Sequence, residues 1–73
     1  MKIHIPSAKI TKPQLDLLEK LFIEVGIITR AQRLDFVNNR IAPGVKRVQF
    51  LDEIPKYKAS EIIQDLLDLA GGQ

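Results

Sequence analysis

The sequence predicts a mostly α fold, a compact three-helix bundle with a short extended N-terminal arm and a candidate small two-stranded ribbon. Three observations predict it. Thr11-Lys12-Pro13-Gln14 and Thr29-Arg30-Ala31-Gln32 repeat one helix-start signature, Thr-x-x-Gln, and each precedes apolar residues at helical spacing. A third apolar run of the same period lies between Pro55 and the pair Gly71-Gly72.

The arm comes first. Ile3 and Ile5 alternate with Lys2 and His4 up to Pro6, the period-2 pattern of an extended segment. Its candidate ribbon partner is the β-leaning stretch Arg47-Val48-Gln49-Phe50. The first helix begins at Thr11, whose hydroxyl can accept from a free amide while Gln14 reaches back; Pro13 occupies a first-turn position where no donor is needed. Leu15, Leu18, Phe22 and Val25 then recur on one face, widened by Leu17 and Leu21, with Asp16 and Lys20 as an i,i+4 pair. Gly26 suits the left-handed position that ends a helix. The second helix spans about residues 30 to 41, with Ala31, Leu34, Val37 and Ile41 facing inward; Asn38-Asn39 weakens its end and Pro43-Gly44 makes the turn. Phe36 falls off that face, which leaves it either packed on the third helix or exposed. The third helix starts near Pro55 or Lys56 and presents Ala59, Ile62, Ile63, Leu66, Leu67 and Ala70 before the two glycines. The chain therefore divides into an arm at 1–10, a helical domain at 11–70 and a tail at 71–73.

At 73 residues there is material for one core. The composition, 45% hydrophobic and 27% charged, lies away from the signature of disorder. Without cysteine, neither disulfides nor a thiolate zinc site supports the core. No stretch approaches the roughly 20 apolar residues of a membrane span, and the N-terminus lacks the pattern of a secretory signal, so a cytoplasmic location is expected. The net charge of +2 is unevenly spread: Arg30, Arg33, Arg40, Lys46 and Arg47 stand against Asp35 alone, whereas beyond residue 59 the charges are Glu61, Asp65 and Asp68.

Raw materials for catalysis are scarce. The histidine is His4, the serines are Ser7 and Ser60, and no nucleophile stands beside a base, so no enzyme activity is expected. Asp52-Glu53 reads as helix-dipole complementation rather than an acid–base pair. No metal, cofactor or small-molecule substrate is expected. A helix-turn-helix over residues 18 to 38 fits poorly, because Phe22, Gln32 and Asp35 fall at positions where that motif needs other residue types. Two features remain that could bind a macromolecule. The basic segment could neutralise phosphates, although with little aromatic interleaving. An apolar surplus of Phe36, Phe50, Ile54, Tyr57 and Leu69 exceeds what one small core needs, and beside Arg and Lys groups it would suit an acidic-hydrophobic peptide. The candidate binding residues are thus Arg30, Arg33, Phe36, Arg40, Lys46, Arg47, Phe50, Lys56, Tyr57 and Lys58.

The runs Ile10-Thr11-Lys12-Pro13-Gln14-Leu15, Gly26-Ile27-Ile28-Thr29, and Leu51-Asp52-Glu53-Ile54 leading into Lys58-Ala59-Ser60-Glu61-Ile62-Ile63 resemble the small C-terminal helical domain of phage and prophage recombination proteins of the single-strand annealing type. The resemblance covers about residues 8 to 70. Where that family carries Leu-Thr and then an acidic residue in the last helix, this chain has Ile54-Pro55 and Lys58. The resemblance implies a partner-recruiting module of DNA recombination or replication. Its implied partners are an exonuclease or the acidic tail of a single-stranded-DNA-binding protein. The alternative reading is weak, sequence-nonspecific binding of DNA, single-stranded DNA being one candidate, by the basic segment 30 to 47.

Overall fold

Both Thr-x-x-Gln boxes form as the sequence dictates. In the computed structural model, which describes residues 8 to 42 and 44 to 71, α1 spans Lys12–Val25, α2 spans Arg30–Ile41 and α3 spans Lys56–Gly71. Thr11 Oγ1 accepts from Gln14 N at 3.2 Å, and Gln14 Oε1 accepts from Thr11 N at 2.9 Å. The second box matches: Gln32 N donates to Thr29 Oγ1 at 3.1 Å, and Gln32 Oε1 accepts from both Ile28 N and Thr29 N. Gly26 ends α1 at φ 86°, its N–H bonding to Ile23 O while Ile27 N bonds to Phe22 O, the paired closure of a Schellman motif.

The main packing is of α1 on α3, and α2 adds a smaller contact with α3. Leu18, Leu21 and Phe22 of α1 meet Ala59, Ile62, Ile63 and Leu66 of α3, with Val37 and Ile41 from α2 and Ile10, Val48 and Ile54 from the connecting segments. The faces are narrower than their spacing predicts. Leu17 and Leu67 are exposed, as are Ala31 and Ala70, because the small bundle closes over one stripe per helix and these residues lie at its margins. On the solvent side of α1, Asp16 pairs with Lys12 at 2.8 Å rather than with Lys20, and this hydrogen bond raises the Lys12 pKa.

The described end of the arm pairs with the segment that leads into α3. Residues 8 to 10 run antiparallel to 54 to 56: Lys9 bridges Pro55, Ile10 N donates to Ile54 O at 2.7 Å and Lys56 N to Ala8 O at 3.0 Å. The stretch 47 to 50 is already committed. Asn38, buried in α2, donates to Val48 O at 3.1 Å and accepts from Val48 N at 2.8 Å, so this strand-like segment is pinned to a helix. No sheet forms among the described residues. The expectations for Ile3 and Ile5, for Pro43 in its turn and for Gly72 as a stop fall outside the described residues; α3 includes Gly71, which the sequence reading places in the tail. A 3-10 turn at Leu51–Glu53, unforeseen from the sequence, precedes α3 and delivers Ile54 to the core fully buried. Among the described residues no helix is long and apolar enough to cross a membrane.

Candidate peptide-binding groove

The ten candidate residues separate into three groups. The first is internal to the bundle. Arg40 lies over Phe36, with Cζ 3.6 Å from the ring centroid, and its Nε meets Asp65 Oδ2 at 3.1 Å. Phe36 in turn meets Phe22 edge to face at 5.8 Å, and Arg33 Cζ lies 5.4 Å from the Phe22 ring on its other flank. This ladder ties α2 to α1 and α3; Phe36, expected on the third helix or in solvent, instead packs against Phe22 of α1 beneath Arg40. Arg40 is partly exposed, so its ion pair contributes little, and its value lies in covering aromatic surface.

The second group forms a groove. A shallow depression of about 520 Å³ is floored by Leu15 of α1, Leu34 of α2 and Leu51 of the 3-10 turn, with Ile28 and Phe50 on its rim. Ile28 is 55% exposed and Phe50 53%. Arg30 and Arg33 stand on one side. Arg30 Nη2 donates to Gln49 O at 2.6 Å and its Cζ lies 5.0 Å from the Phe50 ring; Arg33 Nε donates to Ile27 O at 3.0 Å. Both guanidiniums are therefore fixed through one edge and retain further N–H donors, since each has five. Glu19 and Asp52 also line the depression. Leu15 and Leu51 were not among the sequence candidates. Their apolar periodicity marked Leu15 as core, and nothing local announces that two half-buried leucines from different elements share one floor.

The third group lies elsewhere. Tyr57, Lys56 and Lys58 occupy the first turn of α3, and Lys46 lies with Tyr57 along a separate depression. Arg47 borders the outer side of α2 near Arg30 and Asp35. The five cations of residues 30 to 47 thus do not make one continuous stripe: Arg40 is set against Asp65, Arg33 lines the groove with Arg30, and Lys46 lies with Tyr57 along a separate depression.

Chemically, the groove offers apolar contact, directed guanidinium donors and two carboxylates. Among the described residues no three His, Asp or Glu side chains converge to hold a metal ion. Compared with family models, with curated proteins and with solved structures, the chain matches none.

Proposed function

We propose that this chain is a non-catalytic protein-interaction module of a phage-type recombination or replication protein, and that it recruits its partner by holding an acidic-hydrophobic peptide segment in the groove between α1, α2 and the 3-10 turn. The observation that carries this reading is the pairing of exposed Ile28 and Phe50 with Arg30 and Arg33 around one apolar floor. Apolar side chains of a peptide would cover that floor, and its carboxylates would meet guanidiniums already oriented by backbone carbonyls. Glu19 and Asp52 make the groove nearly neutral as a whole, which favours a short mixed segment over a polyanion. The tail of a single-stranded-DNA-binding protein, or a segment of an exonuclease, in the cytoplasm of a bacterial host has the required chemistry. Nucleic acid running along residues 30 to 47 is less well supported, because those cations do not line one path.

Calorimetric titration of the chain with a short peptide carrying several aspartates before a terminal Leu-Phe pair tests the reading. Arg30→Ala and Phe50→Ala are each expected to weaken binding about tenfold, the loss of one charge-assisted hydrogen bond or one apolar contact of ~1.4 kcal/mol. A peptide with lysine in place of aspartate should not bind. Equal binding of both peptides, or none of either, would overturn the proposal.

A further inference from the structure

A second face, separate from the groove, is built around Tyr57. This side chain is 55% exposed in the first turn of α3 and separates two shallow slots. One, of about 390 Å³, carries Lys9, Lys46 and Glu53; the other, of about 350 Å³, carries Lys56 and Ser60. Lys58 Nζ lies 5.9 Å from the Tyr57 ring centroid and 3.4 Å from Glu61. The face is assembled from distant parts of the chain and fixed by backbone pairing, since the Lys9–Pro55 bridge and the Lys56 N to Ala8 O bond hold the arm against the start of α3.

Folding alone does not account for these charges. A helix N-terminus carries partial positive charge and favours Asp or Glu, yet the first turn of α3 holds Lys56 and Lys58 and no acidic residue. Lys9, Lys46 and Lys56 have no ion pair among the described residues. Glu53, the nearby acid, accepts from Gln49 N at 2.8 Å.

We infer that this face binds single-stranded nucleic acid, with one unpaired base stacked on Tyr57 and the flanking phosphates on Lys9, Lys46 and Lys56. An exposed ring with Lys9 and Lys46 in one adjoining slot and Lys56 in the other matches a strand whose base lies on the ring while its backbone passes to either side. A duplex keeps its bases stacked within and offers none to the ring. A membrane would require a broader set of large apolar side chains than Ala8 and Pro55 provide around the ring.

The chain supplies its own probe, because Tyr57 is its one tyrosine and it has no tryptophan. Adding a single-stranded thymidine oligonucleotide should quench tyrosine emission to saturation. The logarithm of affinity should fall with the logarithm of salt at a slope of about −2, the value for three neutralised phosphates on a single strand. A duplex of equal length should bind more weakly. With a labelled oligonucleotide read by anisotropy, Tyr57→Ala should weaken binding about tenfold. Lys56→Glu should weaken it and make the slope shallower, while its melting temperature does not fall, which separates lost binding from lost structure. Lys20→Glu on α1 makes the same charge change away from the face and should leave binding unchanged. The inference is overturned by an absence of quenching, by equal binding of duplex, by equal effects of Lys20→Glu and Lys56→Glu, or by quenching with anionic lipid vesicles instead of the oligonucleotide.

Discussion

Asn38 shows how one side chain can decide the path of a loop. Its amide supplies one donor and one acceptor to Val48, so the segment after α2 gains the two hydrogen bonds it would otherwise seek in a strand. Removing that amide leaves a buried N–H and a buried C=O without partners, each costing roughly 1–3 kcal/mol. Asn38→Ala should therefore destabilise the chain by about 3 kcal/mol, read as a lower urea midpoint; a change below about 0.5 kcal/mol would mean the loop holds itself. Arg40 makes the contrasting case, for its ion pair is half in solvent while its stem and guanidinium cover Phe36. Arg40→Met keeps most of that cover and should cost less than about 1 kcal/mol in the same assay.

At the scale of elements, the helix starts were readable because a capping box is written in four consecutive residues. Thr11, Gln14, Thr29 and Gln32 bond as their spacing requires. What depends on distant partners was not readable. Asn38 looks locally like a weakening helix end, and it is a buried strut only because Val48 returns to it. Lys9 pairs with Pro55, and residues 51 to 53 form a 3-10 turn, for reasons that lie in the closed bundle rather than in neighbouring sequence. The same limit applied to the groove, whose arginines and Phe50 were visible as charge and apolar surplus while its floor was not. Thr29→Ala should cost about 1 kcal/mol of stability. It should also weaken peptide binding, because the cap fixes the start of the helix that carries Arg30 and Arg33. Lys56→Glu should raise the melting temperature, replacing a cation by an anion at the positive end of α3 for a gain of about 0.3–1 kcal/mol. A fall would show that Lys56 makes a contact important to the fold.

For the whole molecule, the three helices leave two chemically distinct faces. One combines an apolar floor with Arg30 and Arg33 and fits a peptide; the other surrounds an exposed tyrosine with lysines. A small domain has little core to spare, and exposing Ile28, Phe50 and Tyr57 forgoes burial that could stabilise it. That expense is understandable if these residues are covered when the module meets its partners. The central claim, that the groove is the partner site, is tested most directly by titrating the isotope-labelled chain with the aspartate-rich peptide and following its amide resonances. Saturable shifts are expected to cluster at Ile28, Arg30, Leu34, Phe50 and Leu51 and to be lost in Arg30→Ala. Shifts confined to α3 and the arm, or none at saturating peptide, would contradict it.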